Sequence, residues 1–109
     1  MARTRAPIDL TLFHGSDGED DSERWFTTCE RHASQFGDVS RYRVVDSDAV
    51  HIDCATDEDL AGKWGATGDA ALMRVYREEG RRSLVLRGWE GGDDVITVYA
   101  GESADVEAL

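Results

Sequence analysis

The segment from 17 to 36 constrains the fold more than any other, because it joins a run of carboxylates to an apolar stripe of helical period. Carboxylates are favoured at a helix N-terminus, where unpaired N–H groups carry partial positive charge. The stripe recurs at steps of three and four residues, through Trp25, Phe26, Cys29, His32, Ala33 and Phe36. We therefore predict a helix that begins near 20–22, packs this stripe against a sheet and ends at Gly37.

Strand-like runs lie on both sides of this predicted helix. Residues 8–14 (IDLTLFH) place Leu10, Leu12 and His14 on one face, which predicts an interior strand. Residues 41–45 and 50–54 are also strand-like, and they form either one long bent strand or two short ones.

The second half of the chain predicts a short helix, a hairpin and a terminal element. Thr56 is placed to cap a helix over 57–64, with Leu60, Ala61 and Trp64 on its inward side. Residues 71–76 and 82–86 flank a polar turn, which predicts an antiparallel hairpin. Residues 93–100 carry β-branched side chains that favour a strand, whereas the acidic start and closing glycine favour a helix.

These elements follow the order βαβαββα and fit one domain. A chain of 109 residues buries enough surface for a single core. We expect residues 1–7 to form a flexible arm, 8–101 the domain and 102–109 a loosely held tail.

Charge and composition limit the partners and the location of the protein. With 23 acidic against 12 basic residues the formal net charge is -11, which disfavours binding to nucleic acid and to anionic membranes. The acidic surface either serves a function or reflects salt adaptation. No apolar run approaches the ~20 residues of a membrane span, and the N-terminal residues MARTRAP lack the apolar stretch typical of a signal peptide. We expect a cytoplasmic protein that is not secreted, or one incorporated into a virion assembled in the cytoplasm.

The segment from 50 to 82 (VHIDCATDEDLAGKWGATGDAALMRVYREEGRR) resembles the second half of thioredoxin-superfamily domains, especially those of the protein disulfide isomerase type. That family has a strand ending in V-D-C, a helix ending in K-Y-G, a further strand and a G-K turn. The matching residues here are Asp53, Cys54, Leu60, Lys63, Trp64, Gly65, Leu72, Tyr76 and Gly80. The resemblance implies an α/β, thioredoxin-like fold with a mixed four- to five-stranded sheet flanked by helices.

The parts of that family that carry redox chemistry are missing. Phe26 stands where the resemblance places the attacking cysteine, and Ala70 stands in place of the cis-proline. Leu12 replaces the buried acidic residue of the central strand. Because disulfide exchange needs a reactive thiolate and a second thiol, the resemblance implies a thioredoxin-like fold without an enzymatic activity and without a cofactor.

The first functional hypothesis is therefore a redox-inactive module for protein–protein contact. It would act in a homo-oligomer or as a subunit of a larger assembly such as a virus particle. One contact candidate is Trp89, in a glycine-rich loop, because exposed tryptophans often anchor interfaces. The other is a sheet edge that a partner strand could extend, formed by Arg82, Ser83, Leu84, Val85 and Leu86.

Two alternatives from other functional classes stay open. Cys29 could act as the single thiol of a redox protein if it were exposed. The acidic face could act as a low-affinity cation site, with Asp46, Asp48 and Asp57 as weak candidates, although a complete calcium-loop pattern is missing.

A zinc site is the least favoured hypothesis. Its ligands would be drawn from Cys29, His32, His51, Cys54 and His14, and these residues lack the close pairs of structural zinc sites.

Overall fold

The computed structural model describes residues 3–16, 25–89 and 95–109. Within these ranges the chain forms six strands, two α-helices and a 3₁₀ turn. The strands are β1 (Thr4–Ser16), β2 (Trp25–Thr27), β3 (Asp38–Asp53), β4 (Leu84–Arg87), β5 (Ile96–Tyr99) and β6 (Asp105–Ala108). The helices are α1 (Glu30–Ala33), which continues into a 3₁₀ turn (Ser34–Phe36), and α2 (Gly65–Glu78).

Five of the strands close into a barrel. The strand order is β1-β2-β5-β4-β3, and β3 pairs back with β1, while β6 lies outside against β3. Neighbouring strands are antiparallel except β3 and β4, which are parallel and joined by a crossover through α2. The fold is thus mostly β, and the predicted α/β, thioredoxin-like fold with the order βαβαββα is wrong.

A β-bulge in β3 lets this long strand serve two cores. Ile8 pairs with Asp46 but Ala6 pairs with Ala49, so two residues of β3 lie opposite one residue of β1. An extra residue in a strand reverses which side chains face inward beyond it. The residue of β1 at this point is Pro7, which has no N–H to lose from the strand ladder. The strand-like residues 41–45 and 50–53 therefore belong to one long strand, β3, and not to two short ones.

The two cores lie on opposite faces of the barrel wall. The interior core is built from Ile8, Leu12, Phe26, Val44, Ala49, Val85, Val98 and Ala100. The outer core lies between the barrel and α2, and it includes Val50, Ile52, Leu72, Val75, Leu84 and Leu86. Among the described residues, no helix has both the length and the apolar character needed to cross a membrane.

The helix predicted to begin near 20–22 and end at Gly37 is interrupted by a strand within its described part. Residues 17–24 lie outside the described residues, and Trp25–Thr27 form strand β2, not helix. Phe26 packs in the interior core while Trp25 packs on the outer core, which is the alternation of a strand. Only the short α1 and its 3₁₀ turn remain helical, and Gly37 ends them with a φ of 125° as predicted.

The predicted hairpin is also wrong, because residues 71–76 belong to α2. Gly68, Ala71, Leu72, Val75 and Tyr76 are buried, which is the three- and four-residue spacing of a helix face. That face lies on the barrel beside β4, which runs parallel to β3.

The segment predicted as a helix over 57–64 forms turns. Leu60 is buried as expected, but Ala61 is exposed and the Trp64 side chain is 78% exposed. The helix α2 begins directly after this segment, at Gly65.

Both ends of the described chain are paired with the barrel. β1 begins at Thr4, inside the expected flexible arm, and β6 lies in the expected loose tail and pairs with β3. The terminal element over 93–100 is a strand, β5, within its described part.

A buried carboxylate next to the bulge in β3 is hydrogen-bonded to Ser83, the residue before β4. Asp46 is 4% exposed, and its Oδ2 accepts hydrogen bonds from the Ser83 hydroxyl at 2.6 Å and the Ser83 N–H at 3.3 Å. Its Oδ1 accepts from the Asp48 N–H at 3.0 Å. The Ser83 hydroxyl in turn accepts from the Gly101 N–H at 2.8 Å, and a Cβ on Gly101 would clash with the backbone of Arg82 and Ser83.

Burial alone would raise the pKa of Asp46. The hydrogen bonds from Ser83 and Asp48, together with the charge of Arg82, outweigh it and hold the pKa of Asp46 below its ordinary value. The carboxylate form is therefore the one that stabilises the fold.

We expect Asp46→Asn to lower the free energy of unfolding at pH 7 by about 1–3 kcal/mol, because one accepting oxygen becomes an NH₂ group that faces N–H or O–H donors. Since the folded pKa is lowered, the stabilisation is present above the unfolded pKa of about 3.9 and is lost as the pH falls through the folded value. Urea unfolding between pH 7 and pH 2 measures both effects.

The matched control is Asp38→Asn, an exposed carboxylate at the start of β3, which should change stability by less than about 0.5 kcal/mol. Equal stability of Asp46→Asn and the wild type, with the same acid dependence, would contradict the role given to this carboxylate.

Candidate functional site

A pocket of about 470 Å³ lies where the end of β1 meets β2 and β5, beside α1 and α2. This volume is within the range of small-molecule sites, which is roughly 300–1,000 Å³. Five aromatic residues line it: Phe13, Trp25, Phe26, Trp89 and Tyr99. Five polar or titratable residues line it as well: His14, Thr27, His32, Asp69 and Thr97.

The strand register places part of this lining. Phe13 of β1 pairs with Thr27 of β2, and Thr27 pairs with Thr97 of β5. Paired residues on neighbouring strands point to the same face of a sheet. The three side chains therefore form a row on the outer face of the barrel.

The aromatic side chains hold one another in place. The ring of Tyr99 lies between those of Trp25 and Tyr76, with both centroid distances at 4.9 Å and both pairs in edge-to-face geometry. Trp89 packs on α2, where a Cβ added to Gly68 would lie 3.3 Å from its Cη2 atom. Trp25, Trp89 and Tyr99 are half-buried, so each keeps some surface accessible.

His14 is a nearly buried imidazole at the end of β1. It is 7% exposed, and its Nδ1 lies 2.7 Å from the carbonyl oxygen of Trp25. A carbonyl oxygen only accepts hydrogen bonds, so Nδ1 carries the proton and donates it to this contact. In the neutral ring, Nε2 is then a hydrogen-bond acceptor.

Thr97 supplies a buried hydroxyl. The residue is 5% exposed, and among the described residues its Oγ1 has no hydrogen-bond partner. The neighbouring Thr27 hydroxyl accepts a hydrogen bond from the Cys29 N–H at 3.1 Å. An unsatisfied buried hydroxyl costs about 1–3 kcal/mol, and such groups are rare in native proteins. Thr97 borders the pocket, but its Oγ1 has almost no accessible surface, so a bound molecule can form this hydrogen bond only when the side chain rotates toward the pocket.

Neither cysteine belongs to this lining, and the two lie in different environments. Cys29 is half-buried at the N-cap of α1, where its Sγ accepts from the His32 N–H at 3.4 Å. Cys54 is buried in the outer core. Burial, and to a smaller extent the charges of Asp57 and Asp53, raise the pKa of Cys54 to about 12.

The residues suggested as zinc ligands are not brought together. In residues 3–16, 25–89 and 95–109, no group of three His, Cys, Asp or Glu side chains is placed to hold a metal ion. The imidazole Nε2 of His51 lies 3.2 Å from the carbonyl oxygen of Ala6, near the start of β1, whereas His14 lies near its end.

The carboxylates suggested as cation ligands are engaged within the chain. Asp46 accepts from Ser83, and Asp48 forms an ion pair with Arg82 at 2.8 Å. Asp57 pairs with Arg3 at 2.9 Å. Burial would raise the pKa of Asp57, but the hydrogen bond and charge of Arg3 and two backbone N–H groups lower it overall.

The predicted open sheet edge is not found at Arg82, Ser83, Leu84, Val85 and Leu86. Strand β4 is paired with β3 on one side and β5 on the other, and positions 83–86 are buried. Arg82 is half-buried and donates to Asp48 and to the Glu79 carbonyl oxygen. Trp89, the other contact candidate, lies against α2 and lines the pocket.

The pocket residues Phe13, Thr97 and Tyr99 were not identified from the sequence as site residues. A signal was present in residues 96–99 (ITVY), where Ile96 and Val98 alternate with Thr97 and Tyr99. Alternation of this kind predicts a strand with a polar and aromatic outer face.

No family model, curated protein sequence or solved structure matches the chain.

We expect Cys54 in the folded protein to react with iodoacetamide at pH 7.5 at least roughly a thousandfold more slowly than in the urea-unfolded chain. The folded pKa of about 12 leaves far less thiolate than an ordinary pKa of about 8.5. Mass spectrometry of both cysteines over time measures the rates.

Cys29 in the same molecule is the internal comparison, since it is half-buried. Labelling of Cys54 as fast as Cys29 in the folded protein would contradict the buried environment. Fast labelling of Cys29 would favour the single-cysteine thiol hypothesis.

Proposed function

We propose that the protein binds a small, flat and largely apolar molecule in the pocket between β2, β5 and the two helices. The observation that carries this proposal is the buried Thr97 hydroxyl, which lines a pocket with five aromatic residues and has no hydrogen-bond partner among the described residues. Pockets of this kind, apolar with a few convergent polar groups, are typical of small-molecule sites.

The lining favours a flat ligand with one or two hydrogen-bonding groups. Aromatic walls contact flat molecules over a large area, and Trp25 and Tyr99 are held in a fixed edge-to-face arrangement. With its side chain rotated toward the pocket, Thr97 can donate or accept one hydrogen bond, and His14 can accept one at Nε2 when its ring is neutral. These two groups would orient the ligand in the pocket.

Protein contact is a second candidate function, and β6 favours it. This strand pairs with β3 through residues 42–45, and in the described part of the chain its other edge pairs with no strand. Its residues are exposed, including Val106, and Leu109 beyond it is exposed as well. A partner strand could add to this edge, within an oligomer or larger assembly.

The small-molecule proposal is tested with the neutral, flat amine N-phenyl-1-naphthylamine, whose fluorescence rises in apolar surroundings. We expect saturable binding to the wild type. Thr97→Val should weaken it about three- to tenfold, because the variant loses one hydrogen bond worth about 0.5–1.5 kcal/mol. The same variant should keep or raise the thermal stability of the free protein, because it removes an unsatisfied buried hydroxyl.

Thr11→Val is the matched control, because Thr11 is an exposed threonine of β1 outside the pocket lining. Met73→Trp fills the pocket from α2 and should abolish binding. The proposal fails if the folded wild type binds no probe, or if Thr97→Val and Met73→Trp both bind it as the wild type does.

A further inference from the structure

We propose that the natural ligand of this pocket is an organic cation, with an alkylated ammonium group on a flat apolar body. This inference rests on the proposed function, and it adds the charge and the chemical class of the ligand. It follows from three features of the described lining: the charges that it carries, its aromatic residues and its small number of hydrogen-bond acceptors.

The first feature is charge. Among the described lining residues there is a carboxylate, Asp69, but no lysine or arginine. A carboxylate, sulfonate or phosphate on a ligand would therefore enter an apolar site without a guanidinium or ammonium partner, which is costly. The net charge of -11 adds a field that attracts cations to the protein and repels anions from it.

The second feature is the aromatic lining. Trp25, Trp89, Tyr99, Phe13 and Phe26 all border the pocket. The face of an aromatic ring attracts a cation that lies within about 6 Å, and tryptophan does so most strongly. Several rings around one cavity form the kind of site that binds alkylated ammonium groups.

The third feature is the number of acceptors. A primary ammonium carries three N–H donors, each of which needs an acceptor once water is removed. Thr27 already accepts from the Cys29 N–H, and His14 donates through Nδ1 to a carbonyl oxygen. The acceptors left in the described lining include the Nε2 atom of neutral His14, the Thr97 hydroxyl and the exposed Asp69 carboxylate, and three acceptors would have to converge on one primary ammonium group. A fully alkylated ammonium has no N–H to satisfy and suits the pocket better.

Asp69 is the carboxylate placed to favour the cation. Asp69 is the fifth residue of α2, it is exposed, and it borders the pocket. At such an exposed position its attraction is partly screened by water and salt. Asp69 is therefore expected to modulate the affinity, while the aromatic rings provide most of the selectivity.

Three probes of nearly the same shape test the charge preference on the full chain: phenyltrimethylammonium, its neutral isostere tert-butylbenzene, and the anion benzenesulfonate. Tryptophan fluorescence and calorimetry give the affinities. We expect the cation to bind at least about tenfold more tightly than the neutral isostere. Benzenesulfonate should bind more weakly than either.

Asp69→Asn should weaken binding of the cation about two- to fivefold and leave binding of tert-butylbenzene unchanged. Its matched control is Glu58→Gln, which removes one exposed carboxylate outside the lining and should change neither affinity by more than about 1.5-fold at 0.15 M salt.

The outcomes separate this inference from the proposed function. If tert-butylbenzene or benzenesulfonate binds as tightly as the cation while N-phenyl-1-naphthylamine still binds, the pocket stands and the cation preference is overturned. If none of the three probes binds and N-phenyl-1-naphthylamine does not bind either, the proposed function itself fails. An equal loss of cation binding in Asp69→Asn and Glu58→Gln would remove the role given to Asp69.

Discussion

The β-bulge in β3 is the constraint on which the rest of the barrel depends. It places Val44 and Ala49 on the same interior face, although five positions separate them, and it turns Val50 and Ile52 toward α2. Without the extra residue, the second half of β3 would present the wrong face to each core. The buried Asp46 carboxylate holds the bulge by accepting hydrogen bonds from Ser83 and Asp48, and thereby fixes β4 beside β3.

The pocket lies beside this arrangement. The second half of β3 and β4 pack their outer face against α2, and the pocket lies next to this helix, beside β2 and β5. The row from Phe13 through Thr27 to Thr97 forms one wall of the pocket, and α2 contributes Asp69 and Met73. Among the described residues, Thr97 has a buried hydroxyl without a hydrogen-bond partner, and sites that depart from such rules are frequently functional.

Local pattern predicted some elements and not others. The strand over 8–14, the strand-like character of 41–45 and 50–54, and the ending at Gly37 could all be read from alternation and glycine chemistry. Residues 71–76 alone fit the period of a strand as well as that of a helix, and only the longer window 65–78 shows the helical period. Trp25–Thr27 took the strand form because β5, about 70 residues later, pairs with them. The sequence does not show that Thr97 lies beside Thr27 and Phe13, because these residues become neighbours only through strand pairings between distant parts of the chain.

The pocket is tested most directly as the functional site by a methyl-labelled NMR titration of the full chain with N-phenyl-1-naphthylamine. Binding in the pocket should concentrate the chemical-shift changes on Thr27, Met73 and Thr97 and leave Val106 and Leu109 unchanged. Shifts confined to Val106 and Leu109, with Thr97 unaffected, would contradict the pocket as the functional site and favour the β6 edge instead.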